Sequence, residues 1–177
     1  MFKMILTASA LGLGLMAASS ASAVTVEVDA FANSSGGGVG YDTGIVLTLG
    51  EAYTVTADVL DTWSLGANDP GCTRESNADG LTACFGNYSQ GGLSAPYGTL
   101  VGQIGTGDFF VIGSDFSGLA TADGTLSLYL FDSNQGDNSG SILATITAPA
   151  VVPLPAAGLL LLGGLAGLGA LRRRKTA

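Results

Sequence analysis

The chain has 177 residues, a formal net charge of −8, and 47% hydrophobic residues. All 14 acidic residues fall between Glu27 and Asp137, where Arg74 is the sole basic residue. That stretch stands at −13, while Lys3, Arg172, Arg173, Arg174 and Lys175 lie outside it. Such a body repels nucleic-acid phosphates and anionic lipid, and its apolar content excludes an ordinary disordered acidic chain.

Residues 1–23 read as a secretory signal peptide. Lys3 supplies a short positive region, Met4 to about Ala18 is apolar, and Ala21-Ser22-Ala23 is a small-x-small cleavage site. The body that must fold is then residues 24–150, one domain by size. Its strand-like segments are short and separated by turn residues, and Val24–Phe31 alternates with period two. Val24–Phe31 comes first, then Gly44–Leu49, ended by Gly50-Glu51. In Tyr53–Val59 the residues Tyr53, Val55, Ala57 and Val59 share one face. Thr99–Ile104, Asp108–Ile112, Thr125–Phe131 and Ser141–Thr147 follow. About seven strands with glycine, Asn and Asp turns and no amphipathic helix predict an all-β fold. A jelly-roll β-sandwich is the expected architecture, with a small barrel as the alternative.

One connection, Asp61 to about Ala95, is long and carries only scattered apolar residues. Asp69-Pro70-Gly71 and Asn77-Ala78-Asp79-Gly80 are turn formers in it. Cys72 and Cys84, the only cysteines, lie there too. In an exported chain the even count favours a disulfide over two thiols. Two thiolates without histidine leave a zinc tetrahedron half empty. Arg74 either pairs with Asp69, Glu75 or Asp79 to order the loop, or recognises an acidic sugar through its guanidinium fork.

The segment from Leu130 to Ser141 follows one strand and precedes another. Asp132, Asn134, Asp137 and Asn138 gather oxygen donors there, which suits a hard cation such as calcium; a polar hairpin facing solvent is the plainer reading. The chain has no histidine. Ser/His/Asp and Cys/His catalysis are therefore excluded in their usual forms. Gly36-Gly37-Gly38-Val39-Gly40 lacks the Gly-Lys-Ser/Thr of a phosphate loop and reads as a flexible run between strands. No carboxylate spacing marks a glycosidase pair, so no enzyme is expected.

Several blocks carry a resemblance. Thr43–Glu51, Ala95–Gly105, Phe109–Gly113, Gly124–Asp132 and Asp137–Ser141 resemble the PA-IL-like calcium-dependent lectins of Gram-negative bacteria, whose body is a galactose-binding-domain-like jelly roll. The resemblance implies that Asp132, Asp137 and Asn138 ligate calcium and contact sugar, with Asn134 standing in for a missing threonine ligand. It also implies a main-chain carbonyl ligand near Trp63. Trp63 would stack on a sugar ring or else belong to the core; Tyr88 is a second candidate for stacking. The Asp132–Asp137 interval is two residues shorter than in the galactose-binding member, and the pocket histidine and glutamine are absent. Calcium is therefore implied, and galactose is not.

The tail carries a second resemblance. Val152-Pro153-Leu154-Pro155-Ala156, an apolar run to Leu171 and the cluster Arg172–Lys175 resemble a PEP-CTERM-type sorting signal of the Val-Pro-Leu-Pro-Ala variety. Residues 151–177 then comprise the proline motif, a hydrophobic transmembrane helix and a basic cluster on the cytoplasmic side. A plain tail anchor is the alternative. The resemblance implies an exosortase-type sorting enzyme as partner and a membrane-anchored precursor delivered to the outer surface or matrix. The expected protein is an exported, calcium-assisted carbohydrate-binding module, with exopolysaccharide or another glycan as partner. The alternative is a structural matrix protein in which calcium only staples a loop.

Overall fold

The computed structural model describes residues 21–81, 83 and 85–150. The expected signal segment through residue 20, the sorting segment 151–177 and Cys84 lie outside the described residues. Among the described residues, no helix is long and apolar enough to cross a membrane.

Among the described residues, twelve strands appear in chain order: β1 (Ala21–Asp29), β2 (Tyr41–Leu47), β3 (Ala52–Ala57), β4 (Trp63–Ser64), β5 (Glu75–Ser76), β6 (Asn87–Gln90), β7 (Leu93–Pro96), β8 (Thr99–Ile104), β9 (Phe110–Val111), β10 (Asp115–Leu119), β11 (Gly124–Phe131) and β12 (Ser139–Pro149). A 3-10 turn at Gln135–Asp137 separates β11 from β12. The all-β expectation holds for the described residues.

The strands form two main sheets with the core between them. In the first, β12 lies between β1 and β3, β10 adds beyond β3, and β4–β5 continue the sheet at the start of β12. In the second, the order is β2-β11-β8-β9. Alternation explains the facing sides. Val26 and Val28 of β1, Tyr53 and Val55 of β3, and Ile142, Ala144 and Ile146 of β12 are buried, and their sequence neighbours are more exposed. They meet Leu126, Leu128 and Leu130 of β11 and Leu100 and Ile104 of β8. Each fully buried aliphatic side chain of this kind contributes about 1.5–3 kcal/mol.

β8 departs from simple alternation, with five of its six residues buried. The cause lies on the outer face of the second sheet. The β6–β7 hairpin covers it, and Tyr88, Leu93 and Ala95 pack with Val101, Phe109, Tyr129 and Phe131. A strand covered on both faces reads as a continuous apolar run.

The connection read as one long loop carries β4 to β7, and other elements also differ from their sequence reading. β1 begins at Ala21, with Ala21 opposite Pro149, so the small residues before Val24 run as strand. The strand expected at Asp108–Ile112 shortens to Phe110–Val111. The unexpected β10 pairs antiparallel with β3, Asp115 opposite Thr56.

Candidate functional site

The loop between β11 and β12 rests on the connection between β1 and β2. Ser35 N–H donates to Leu130 O at 2.9 Å, and Leu130 N–H donates to Asn33 O at 3.0 Å. The Ser35 hydroxyl then clasps the next turn: it accepts from Asp132 N–H at 3.2 Å and donates to Asp132 O at 3.1 Å. Gly36 packs directly on this backbone, and a Cβ there would run into Asp132 O and Ser133 C. The glycine run is thus a close-fitting bed for the acidic loop, a correction to its reading as a flexible spacer.

Local hydrogen bonds set the rest of the loop. Asn134 caps the 3-10 turn, its Oδ1 accepting from Gly136 N–H at 3.2 Å. Its Nδ2 donates to Asp137 Oδ1 at 2.8 Å. This capping is what short polar side chains do at turn starts. Asn138 follows, with Nδ2 donating to Ala30 O at 3.4 Å. β4 holds the exit of the loop, with Gly140 opposite Trp63 and Ser139 opposite Ser64.

Two polar side chains of the loop are buried, Asp132 at 5% exposure and Asn138 at 7%. Burial pushes the Asp132 carboxyl above its ordinary value, with the nearby Asp137 charge acting the same way; hydrogen bonds from the Asn138 side chain and from the main chain at Ser133 and Asn134 pull against the rise. Asn138 Oδ1 is buried and has no hydrogen-bond partner. A buried carboxylate beside an unmet acceptor oxygen is costly unless something positive satisfies both.

A cavity of about 220 Å³ adjoins the loop. Asp132, Ser133, Asn134 and Asp137 of the loop line it together with Leu65, Arg74, Phe85 and Tyr97. Arg74 arrives there through strand geometry. Leu65 N–H donates to Arg74 O at 2.9 Å, continuing the β4–β5 ladder by one pair. The Asp69-Pro70-Gly71 turn closes with Gly71 at φ +83 and presents Asp69 to the guanidinium. Arg74 Nη2 meets Asp69 Oδ2 at 2.6 Å, and Nη1 stands 3.9 Å from Asp137 Oδ2. Arg74 Cζ lies 5.3 Å from the Phe85 ring centre. Of the three partners proposed from sequence for Arg74, Asp69 is the one it takes. Asp79 instead accepts from the backbone N–H and hydroxyl of Ser114, at 2.7 and 3.0 Å.

The aromatic wall is layered. Phe85 and Tyr97 have centroids 5.5 Å apart, and Tyr88 stacks on Tyr97 at 5.3 Å. Tyr88 also contacts Phe131 at 4.9 Å. It buttresses the wall from behind and is not among the residues lining the cavity.

Of the two roles open to Trp63, core or ring stacking, its surroundings are those of the core. It is 1% exposed and sits in the core, and its indole N–H donates to Gly98 O at 2.9 Å. Neither ring face is open to a sugar, because a large apolar side chain whose single polar atom has a partner gains most by full burial. The structure therefore brings Asp132, Asn134, Asp137 and Asn138 together in one loop and leaves Trp63 out. Phe85, Tyr97 and Leu65 were not singled out from sequence. The only hint was that Tyr97 lies within the Ala95–Gly105 block.

As for a metal, the donors are carboxylate and amide oxygens, the chemistry a hard cation selects. Among the described residues there is no group of three or more His, Cys, Asp or Glu that could hold a metal ion, so any shell here depends on the amides of Asn134 and Asn138 and on main-chain carbonyls. No free cysteine occurs among the described residues. The expected partner of Cys72, Cys84, lies outside them, and the Cys72–Cys84 bridge stays an expectation.

No family model matches the chain, and no curated protein matches it. Among solved structures, the chain is similar to one described as "EclA N-terminal domain; PllA-like lectin". The two are 20% identical, the match covers 70% of this chain and 94% of that one, and the TM-score is 0.49.

Proposed function

We propose that this chain is a non-enzymatic glycan-binding protein whose ligand sits in the cavity between the Asp132–Asn138 loop and the Phe85–Tyr97 wall. One observation carries the reading: the buried Asp132 carboxylate and the unmet Asn138 Oδ1 lie in the loop that borders an aromatic-walled cavity. Asp132 and Asp137, with the amide oxygens of Asn134 and Asn138, would hold calcium. When bound, calcium supplies open coordination positions that suit neighbouring sugar hydroxyls.

The chain's own residues do the rest. Phe85 and Tyr97 offer an apolar surface for the weakly polar face of a sugar ring. Asn134, through its bond to Asp137, fixes that carboxylate toward the cavity side of the loop. Ser35 and the glycine bed keep the Asp132 backbone from shifting as ligand enters. A preformed site of this kind loses less conformational entropy on binding. The same proposal places the protein outside the cytoplasm, exported by residues 1–23 and sorted through Val152–Ala156 by an exosortase-type membrane enzyme, with exopolysaccharide as the natural class of partner.

A glycan array read with calcium and again with chelator tests the reading. Retention of some glycans in calcium and its loss in chelator is the expected result. A protein that melts higher in calcium yet retains no glycan would instead be a structural surface protein with a calcium-stapled loop.

A further inference from the structure

Arg74 is the sole basic residue between Glu27 and Asp137, facing 14 carboxylates in that stretch, and it lines the cavity just described. A lone cation in so acidic a body would ordinarily sit in solvent and pair loosely with whichever carboxylate came near. Here it is held from two sides. Asp69 grips Nη2 at 2.6 Å, and the Phe85 ring lies 5.3 Å from Cζ. Its hydrogen-bonding capacity is nevertheless not used up. Nε is buried without an acceptor, and Nη1 is too far from Asp137, at 3.9 Å, for a hydrogen bond. Nη1 therefore has donors to spare beside Asp137, which lines the cavity. A guanidinium held in place with its Nη1 N–H groups unspent can donate a charged hydrogen bond to a carboxylate.

From this we infer that the cavity selects carboxylated sugars, uronic acids in particular, and that Arg74 is the residue that makes the selection. The inference rests on the glycan-binding reading above and narrows it to a ligand class. An ammonium-bearing sugar is disfavoured because Arg74 would repel it at the same wall. Without a bound cation, Asp69, Asp132 and Asp137 outweigh the single guanidinium, so an anionic ligand would be turned away. With calcium held by the loop the cluster would approach neutrality, Asp137 would serve the metal, and Nη1 would be left to the ligand carboxylate. Acid selectivity and calcium dependence are thus linked through Asp137.

The test uses sugars that differ only at C6: glucuronic acid against glucose, and galacturonic acid against galactose. Each is titrated into the protein at saturating calcium. Single sugars avoid the calcium chelation that a polyuronate would add. A charged hydrogen bond of this kind corresponds to about tenfold in affinity. The acid of at least one pair should bind about tenfold tighter than its neutral partner. Arg74→Gln should erase that preference while leaving the affinity for calcium, measured separately, equal to or higher than wild type. Arg74→Lys, which keeps the charge but cannot both hold Asp69 through one nitrogen and donate through another, should retain only part of the preference. Equal or tighter binding of the neutral sugar by the wild-type protein would overturn the acid selectivity and leave the glycan-binding reading standing. Binding of no sugar on the array or in these titrations would overturn both.

Discussion

Saturating calcium should raise the melting temperature of the chelator-stripped protein by about 10 °C, and Asp132→Ala should abolish the rise. The size follows from mass action. A ligand at a hundredfold excess over its Kd stabilises the folded state by about 2.7 kcal/mol, and a domain of this size shifts by about 2–8 °C per kcal/mol. Asp132 is the residue to change because it is the buried carboxylate of the loop, and removing it removes the charge that draws a cation in.

The same carboxylate fixes the sign of the pH dependence. Burial raises its folded pKa above the ordinary 3.8. The folded state therefore keeps this proton over a window, starting near that value and extending upward, in which the unfolded chain has lost it. In chelator, Asp132 thus lowers stability as pH rises through that window. Calcium acts on the ionised form, so its stabilising increment should grow over the same window and vanish below it. Melting curves at several pH values with calcium and with chelator check this, and an increment that shrinks as pH rises would contradict it.

Trp63→Ala should be the most damaging single substitution in the domain, costing about 3–5 kcal/mol in urea unfolding, the cost of deleting a large buried aromatic. With total stabilities of about 5–15 kcal/mol, a loss of that size brings the domain close to unfolding at ambient temperature. The change opens a cavity under the β4–β12 junction and leaves Gly98 O without its indole donor. Trp63→Phe separates packing from recognition. It should cost less stability and leave glycan affinity unchanged, since the ring faces are enclosed. A sharp loss of affinity with little loss of stability would return Trp63 to the ligand site.

The parts of the fold that were legible from sequence are those where one face is buried and the other wet. β1 and β12 alternate strictly along most of their length, and their pairing puts Val26 opposite Ala144 and Val28 opposite Ile142. β10 escaped notice because its sequence, Asp-Phe-Ser-Gly-Leu, has no fully buried residue; it exists because β3 offers an edge and because Phe116 meets Tyr53 at 5.2 Å. The tiny strands β4 and β5 are equally opaque. They are held by partners far away in the chain, and two-residue segments carry no periodicity to read.

The site was half legible for a related reason. Asp132, Asn134, Asp137 and Asn138 are neighbours in sequence, so their composition announced the loop. The opposing wall is assembled from Leu65, Arg74, Phe85 and Tyr97, which only the topology brings to face it. The glycines at 36–38 misled because glycine signals either freedom or close approach, and sequence alone does not distinguish the two. At Gly36 the answer is close approach. For Trp63 the sequence left core and ligand site equally open, and burial placed it in the core.

The Asp132–Asn138 loop is proposed to hold calcium beside a ligand cavity. Isothermal titration of calcium into chelator-stripped protein tests it most directly, on the wild type and on the Asp132→Ala and Asn138→Ala variants, each first confirmed to be folded by a cooperative melt. Expected are one saturable site in the wild type, none in Asp132→Ala, and clearly weakened binding in Asn138→Ala, which lacks the unmet Oδ1. Absence of saturable calcium binding in the folded wild type, or unchanged binding in the Asp132 variant, would contradict it.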